Sequence, residues 1–166
     1  MPVLKTVIFT ILVPGFFGGV LPYLLGSSSG QGAGDAARGW RVLGLVPVAL
    51  GALGYLWCAA EFALRGKGTP APIDPPKLLV VKGLYRWVRN PMYVSVALVI
   101  VGETVWFGAP RLILYLAAFL VMTQLFVVLY EEPHLEKTFG AAYEAYLAAV
   151  PRWIPRIRPW NQDAGR

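Results

Sequence analysis

The stretch PMYVSVALVIVGETVWFGAPRLILYLAAFLVMTQLFVVLY, residues 91–130, decides the fold of this chain. It contains two apolar blocks, 91–109 with the single charge of Glu103 and 112–130 with no charge. Each block is close to the roughly 20 residues that a membrane-spanning helix needs. Only Gly108-Ala109-Pro110 breaks the apolar run, so the two helices are expected to form an antiparallel hairpin. The two remote ends of that hairpin, near Asn90 and near Glu131, should therefore be neighbours in space.

Two more apolar blocks without a charge, 6–25 and 42–60, precede the hairpin. Helices are expected because hydrocarbon offers no partner to open backbone groups and four strands cannot close a barrel. The 166-residue chain is 57% hydrophobic and 14% charged, whereas soluble domains carry about 25% charged residues. We predict an all-α polytopic membrane protein with four transmembrane helices, one integral-membrane domain over 1–166. Its segments are two spans (1–62), a cytoplasmic loop (63–90), the hairpin (91–130), and a cytoplasmic helix and tail (131–166).

The first block is expected to be a true span, because its apolar stretch exceeds the 7–15 residues or so of a signal peptide. Pro14-Gly15 should bend it. Three glycine sites have two readings: they allow close helix packing, or they are merely tolerated. These sites are Gly18-Gly19, Gly51 and Gly54.

Lysine and arginine are distributed unevenly along the chain. With four spans, the N-terminus, 61–90 and 131–166 share one side, and that side holds all of the fifteen cations except Arg38, Arg41 and Arg111. The positive-inside rule then puts both termini in the cytoplasm. We interpret the net charge of +6 in two ways: the excess cations set the orientation of the chain in the membrane, and they attract anionic headgroups. The lipid bilayer is therefore the expected partner. Nucleic acid is not expected as a partner, since there is no basic helix with readout residues.

The C-terminal region combines a proline, an apolar stripe and a basic tail. Pro133 is expected to end the fourth helix and to start another. The spacing of the apolar residues from Leu135 to Val150 predicts one amphipathic helix, lying on the membrane or on the hairpin. The tail over 150–160 repeats proline, arginine and aromatic residues, which predicts an extended strap at headgroup level.

The adjacent carboxylates Glu131 and Glu132 are the sharpest chemical signal. Like charges repel and resist desolvation, so such a pair at a membrane boundary suggests a cationic or hydroxyl-bearing ligand. A solvated helix end is the alternative. Arg89, Asn90 and Tyr93 stand at the other end of the hairpin, where Asn90 is the expected N-cap of a helix that starts at Pro91. Arg89 suits a carboxylate or, alternatively, a phosphate headgroup.

Other candidate groups are few. One cysteine, Cys58, and one histidine, His134, are too few for a zinc cluster, a disulfide framework or a Cys/His pair. Cys58 is expected to be a buried small hydrophobe. Glu103 is expected to be a structural hydrogen-bonding residue, although an intramembrane carboxylate is often functional. No metal site is expected, and no catalytic residue is assigned.

These residues carry a resemblance to a known superfamily. GLYRWVRNPMY, residues 83–93, resembles one motif of the isoprenylcysteine carboxyl methyltransferase and phospholipid N-methyltransferase superfamily. LYEEPHL, residues 129–135, with Phe139-Gly140, Tyr143, Tyr146 and Val150-Pro151-Arg152, resembles its second block. The resemblance covers about residues 80–157.

The resemblance implies S-adenosylmethionine as the methyl donor, bound at the cytoplasmic end of the hairpin beneath the C-terminal helix. The cofactor contacts that it implies are Arg89, Asn90, Tyr93, Glu131 and Glu132. The prenylcysteine branch usually has histidine where this chain has Asn90, and Ser95 stands where the family often has glycine. The lipophilic acceptor therefore stays open between a lipid amine and a prenylcysteine-like carboxylate. An amine must lose a proton before it reacts, which requires a base such as Glu131, Glu132 or Glu61.

Two other functions stay open. Sterol-type membrane reductases share part of this architecture and use NADPH, although no residues here suggest an obvious clamp for its 2′-phosphate. A non-enzymatic small membrane scaffold or transport partner is the third candidate. The oligomeric state is also left open.

Overall fold

Helices make up most of the structure, a computed structural model that describes residues 2–28, 39–62 and 79–161. No strand occurs among these residues, which confirms the all-helical prediction. The serine- and glycine-rich stretch from residue 29 and the proline-rich stretch 69–76 lie outside the described residues. The helices are α1 (Pro2–Leu12), α2 (Leu21–Ser27), α3 (Leu45–Glu61), α4 (Pro91–Phe107), α5 (Pro110–Phe126), α6 (Glu132–Phe139) and α7 (Ala141–Ala149).

Short π-helical and 3₁₀ segments join several of these helices. A π-helical segment, Phe16–Val20, lies between α1 and α2, so the regular α-helix of the first block is interrupted close to the predicted Pro14-Gly15. A second π-helical segment, Val127–Glu131, joins α5 to α6. The 3₁₀ turns are Val42–Gly44 and Gly83–Arg86.

Within the described residues, three helical segments are long and apolar enough to cross a membrane: Val7–Ser27, Gly39–Glu61 and Pro110–Phe139. The apolar helix α4 is shorter, with 17 residues, so the fourth span stays a prediction. Large apolar side chains cover the outside of these helices, and Leu53 and Leu114 are 64% and 74% exposed. Such a surface is stable in lipid and costly in water. The chain is an integral membrane protein.

Close packing of α3 against α4 is made possible by glycine. A Cβ atom at Gly51 would lie 2.5 Å from the carbonyl oxygen of Ser95, and one at Gly54 would lie 2.7 Å from the Ser95 hydroxyl. A Cβ at Gly18 would meet Val96 at 2.8 Å, whereas one at Gly19 would meet nothing within 4 Å. The close-packing interpretation is therefore confirmed for Gly18, Gly51 and Gly54, and Gly19 is merely tolerated.

The connection from α4 to α5 is two residues long. Gly108 adopts a left-handed conformation with φ +62°, which glycine accepts without steric cost, and its amide donates to the Thr104 carbonyl. Ala109 and Leu112 are almost fully buried, and α5 begins at Pro110, where the missing amide hydrogen costs nothing.

The expectation that Pro133 ends the fourth helix is wrong. Helical structure runs without a gap from Pro110 to Phe139 through the π-helical segment. A proline inside a helix removes one amide donor and crowds the preceding turn. Here Pro133 stands in the first turn of α6, directly after the wider π-helical turn, which accommodates both effects.

The prediction of one amphipathic helix after Pro133 is also wrong, because two helices meet at Gly140. Gly140 has φ +52° and ψ −132°, a conformation outside the α-helical region that glycine adopts far more readily than other residues. The predicted apolar residues of α7 nevertheless lie on one face of that helix. Its buried members Tyr143, Tyr146 and Val150 pack with Leu79, Val81 and Trp160, so this face of α7 contacts the protein.

The tail after α7 forms no helix or strand up to residue 161, bends several times, and hydrogen-bonds to the segment before α4. Backbone amides of Arg156 and Trp160 donate to the carbonyls of Trp87 and Arg86, each at 2.9 Å. The Arg89 amide donates to the Pro151 carbonyl at 2.9 Å. We call residues 150–160 the strap: its backbone hydrogen-bonds to residues 86–89, it bends rather than running fully extended, and its place at headgroup level stays a prediction.

Candidate functional site

The two ends of the α4–α5 pair meet through side chains that are far apart in sequence. The Tyr93 hydroxyl on α4 donates to Glu131 Oε2 at 3.0 Å. Arg89 Nη1, just before α4, donates to Glu132 Oε1 at 2.8 Å. The structure thus brings together four of the five residues expected at the site, and the predicted proximity of the two ends is confirmed.

Glu132 accepts three charge-assisted hydrogen bonds. Besides the bond from Arg89, Arg152 donates from Nε to Oε1 and from Nη2 to Oε2, both at 2.8 Å. The Glu132 side chain is 14% exposed, against 10% for Arg89 and 30% for Arg152. These hydrogen bonds raise the pKa of Arg152 above its ordinary value, so the guanidinium stays charged. The result is a compact Arg–Glu–Arg group between α6, the strap and the start of α4.

Arg152 is a site residue that the sequence reasoning missed. It belongs to the Val150-Pro151-Arg152 motif but was not assigned to the site. The sequence contained only a weak signal for this contact. Arg152 lies twenty residues after Glu132, and because the chain changes direction at Gly140 between them, no helical or strand spacing relates the two residues.

Asn90 occupies the predicted N-cap position, with Pro91 as the first residue of α4, but its side chain does not cap the helix. The expectation of a side-chain cap is therefore wrong: Asn90 Nδ2 donates instead to the Arg152 carbonyl at 3.3 Å. Asn90 is buried, with 8% exposure, beneath the strap. It therefore joins the strap to the start of α4, and it completes the set of five predicted residues at this place.

The strap also closes over Tyr93. The Trp153 indole NH donates to Gln124 Oε1 on α5 at 2.7 Å, and its ring packs edge-on against the Tyr93 ring. Arg89 interacts with the Tyr143 hydroxyl, and its Nε atom is buried with no hydrogen-bond partner of good geometry among the described residues. A buried guanidinium NH without a partner is costly unless a ligand accepts its hydrogen bond.

Two cavities meet at this site. A pocket of about 110 Å³ lies beneath α6 and α7, and Glu132, His134 and Tyr143 contribute to its wall. A larger, mostly apolar cavity of about 460 Å³ lies between α1, α3, α4 and α5. Both are lined by the same junction residues: Phe62, Tyr85, Arg89, Asn90, Tyr93, Phe126 and Glu131.

One wall of the smaller pocket is aromatic. Phe126, Tyr130 and His134 follow one another at intervals of four residues; the rings of Tyr130 and His134 are nearly parallel, 6.1 Å apart. His134 is exposed. On the opposite wall, burial raises the pKa of Tyr143 to about 12, so this phenol is neutral at physiological pH.

Three other singled-out residues lie elsewhere. Cys58 is 1% exposed and packs with Val80 and Tyr85, which confirms the buried-hydrophobe interpretation. Glu61 is the last residue of α3 and lies beside Gly83. Glu103 lies in the second half of α4, away from both cavities, and its Oε2 atom is buried without a hydrogen-bond partner among the described residues.

Comparison with known proteins agrees with the motifs. The family model described as phospholipid methyltransferase matches residues 40–142. A protein of Haemophilus influenzae described as uncharacterized is 33% identical over 63 residues, which is 38% of this chain and the whole of that protein. No solved structure matches the chain. The matched range covers more than half of the chain, from just before α3 to the start of α7, and it includes all five predicted site residues. The chain therefore belongs to the phospholipid methyltransferase family.

Proposed function

We propose that this protein is an S-adenosylmethionine-dependent integral-membrane methyltransferase that acts on a lipophilic acceptor at the cytoplasmic interface. The observation that carries the proposal is the meeting, at Tyr93 and Glu131, of a smaller pocket that contains Glu132 and His134 with a larger apolar cavity. A transferase of this kind needs separate access for a water-soluble donor and a membrane-dissolved acceptor. Family membership supports methyl transfer as the reaction class.

The residues of the smaller pocket fit the chemistry of the donor. S-adenosylmethionine carries an α-carboxylate, an α-ammonium, ribose hydroxyls and a sulfonium. The unpartnered Arg89 Nε suits the carboxylate, and the carboxylates of Glu131 and Glu132 suit the ammonium and the hydroxyls. We assign Arg89, Asn90, Tyr93, Glu131 and Glu132 as the cofactor contacts, with Asn90 acting through the strap.

When bound, the donor supplies an electrophilic methyl group whose transfer is an in-line displacement. The protein's part is to hold the two reactants in line and to exclude water, which can account for most of the acceleration. The Arg89–Glu132–Arg152 group fixes the position of Arg89, and Trp153 covers Tyr93 from the strap side. No covalent nucleophile on the protein is required.

The lipophilic acceptor follows from the larger cavity. Its rim includes Phe17 and Met122, which are 47% and 66% exposed on the apolar outside of the helices. An opening on that surface faces lipid, so an acceptor with an acyl or prenyl chain can enter sideways from the bilayer. Its headgroup would then reach the junction at Tyr93 and Glu131.

Radiolabelled methyl transfer tests the reaction. The full chain is reconstituted into liposomes that contain phosphatidylethanolamine, a prenylcysteine or a total lipid extract, and labelled S-adenosylmethionine is added. We expect label in an extracted lipid. Label confined to a water-soluble product would overturn the lipophilic acceptor.

Donor binding tests the site. Calorimetry on detergent-purified protein should detect binding of S-adenosylmethionine and none of NADPH, which a reductase would bind. Glu131→Gln and Glu132→Gln should each weaken donor binding by roughly 10- to 150-fold, because a hydrogen bond to a charged group is worth about 1.5–3 kcal/mol. Glu144→Gln, an exposed position on α7, is the matched control. Wild-type affinity in both site variants would contradict the assignment.

A further inference from the structure

The end of the α4–α5 pair opposite to the candidate site carries two arginines. Arg41 belongs to the helical segment Gly39–Glu61, and its guanidinium lies against the turn between α4 and α5: a Cβ atom at Gly108 would be 2.9 Å from Arg41 Nη2. Arg111 is the second residue of α5 and follows Gly108 by three residues, a stretch of chain that spans at most about 11 Å. The short turn therefore brings both arginines to the same end of the helices.

Both guanidinium groups contain buried donors without acceptors. Arg41 Nε, Arg111 Nε and Arg111 Nη2 are each buried with no hydrogen-bond partner among the described residues. No carboxylate in the described part of the chain forms an ion pair with either arginine, and Glu103, five residues before Gly108 on α4, has a buried oxygen that is itself unpartnered. A buried charged donor that stays unpaired is costly, so a ligand that accepts these hydrogen bonds would stabilise this end of the protein.

The backbone at this place also favours an anion. The 17-residue helix α5 begins at Pro110, and the first amides of a helix lack acceptors within the helix. Together with the helix dipole, these amides give the start of α5 a positive potential, and Arg111 stands in this first turn. A planar guanidinium offers parallel donors that match two oxygens of one oxyanion. The chemistry of this end therefore suits a phosphate group.

The surroundings favour the phosphate of a lipid over a soluble anion. Trp40, next to Arg41, and Trp106, in the last turn of α4, are both exposed. Exposed tryptophan is enriched at the level of lipid headgroups. Leu43 and Ile113, which follow the two arginines by two residues each, are also exposed, so an apolar surface for acyl chains begins directly beside the charges.

We propose that Arg41 and Arg111 bind the phosphate group of a phospholipid at the end of the molecule opposite to the candidate site. This lipid is not the methyl acceptor, because the 17 residues of α4 hold the two ends about 25 Å apart. Neither arginine lines the two cavities of the candidate site. A lipid held here links the start of the segment Gly39–Glu61 to the start of α5, and it fixes the turn at Gly108 between them.

Thermal unfolding of the delipidated full chain in detergent measures this binding. The probe is dioctanoyl phosphatidylglycerol, and the two reference ligands are dioctanoylglycerol, which lacks phosphate, and inorganic phosphate. The unfolding midpoint of the wild type should rise with the concentration of the probe, because a ligand of the folded state stabilises it. Each reference ligand should raise the midpoint much less, since one lacks the phosphate and the other lacks the acyl chains.

The reference ligands decide what is recognised. An equal effect of dioctanoylglycerol would overturn the phosphate site. An equal effect of inorganic phosphate at the same concentration would overturn a lipid as the source of the phosphate.

Arg41→Met and Arg111→Met separate a ligand site from a structural role. Each variant should weaken binding of the probe by about 10-fold or more, because a hydrogen bond from a charged group is lost. Without lipid, each should unfold at or above the wild-type midpoint, since it removes buried donors that have no partner there. Arg158→Met, at an exposed position of the strap, is the matched control and should bind the probe like the wild type. Variants that are destabilised equally with and without the probe would overturn the site.

Crosslinking locates the lipid in the wild-type protein, without any substitution. A phosphatidylglycerol with a photoactivatable group near its glycerol should label peptides that contain residues 40–43 or 106–113. Excess dioctanoyl phosphatidylglycerol should suppress this labelling, whereas excess dioctanoylglycerol should not. Labelling confined to peptides of the larger cavity, such as the one that contains Met122, would overturn the assignment to Arg41 and Arg111.

Discussion

Glu132 and Arg152 form the most strongly connected pair of the site. The two parallel hydrogen bonds at 2.8 Å use the planar guanidinium, which matches a carboxylate in a way that an ammonium group cannot. The pair also holds the strap, because Asn90 donates to the carbonyl of Arg152. A change in Arg152 should therefore alter both the strap and the position of Arg89.

Arg152→Lys is expected to keep the charge and lose the bidentate contact. Because the arginine side chain is 30% exposed, the loss should cost only about 1 kcal/mol of stability, near the upper end for exposed ion pairs. Donor affinity should fall as well, since Arg89 loses part of its anchor. Thermal unfolding in detergent and calorimetric donor binding measure the two effects. Arg158→Lys, exposed in the same tail, is the control. Equal losses of stability and donor affinity in both variants would contradict the role of the bidentate contact between Arg152 and Glu132.

At the scale of the elements, the packing of α3 against α4 positions the site from below. The two helices approach so closely that a Cβ at Gly51 would lie 2.5 Å from the Ser95 carbonyl and 2.9 Å from the Val99 amide nitrogen. Both atoms belong to the backbone, so no side-chain rotation relieves the clash. α4 in turn carries Tyr93 in its first turn.

Gly51→Ala should therefore push α4 away from α3. Overpacking of this kind costs about 1–3 kcal/mol. The displacement should also weaken donor binding, because Tyr93 moves with α4. Gly19→Ala places the same methyl group where nothing lies within 4 Å and should leave both properties unchanged. The measurement is the unfolding midpoint of each variant in detergent, and a wild-type midpoint for Gly51→Ala would refute the close approach.

The π-helical segment Val127–Glu131 is the second element that shapes the site. It ends at Glu131, so both carboxylates stand where the wider turn returns to the α-helix. π-helical turns inside α-helices often occur at functional sites. Because of this wider turn, the helix continues past Pro133 without a break. The aromatic wall of the smaller pocket and both carboxylates therefore lie on one continuous helix.

At the scale of the whole molecule, the question is whether the 17-residue helix α4 crosses the membrane. Four spans put the site and both termini on the side that carries most of the lysines and arginines. If α4 did not cross, α7 would lie on the opposite side of the bilayer.

Cysteine labelling in a Cys58-free background distinguishes these arrangements. A thiol introduced by Ser28→Cys should react with an impermeant reagent from the exoplasmic side. One introduced by Glu144→Cys, at an exposed position on α7, should react only from the cytoplasmic side. Reaction of both positions from the same side would rule out the four-span topology.

The sequence by itself determined the helical class, the short connection at Gly108 and the five residues at its remote end. Apolar blocks near bilayer length leave the backbone no alternative to the helix, and a two-residue connection forces the ends of α4 and α5 together. These conclusions depend on length, hydropathy and local spacing, which a single chain displays directly. The family motifs supplied the reaction class for the same reason.

Only the tertiary structure decided how the two carboxylates differ. Arg152 reaches Glu132 because the chain turns at Gly140 and returns as a strap, and no local spacing encodes that contact. Likewise, Pro133 was expected to break a helix that a π-helical turn continues. The junction of the two cavities at Glu131 depends on four helices and the segment before α4 at once. Long-range packing therefore separates Glu131 from Glu132, although the two are neighbours in the chain.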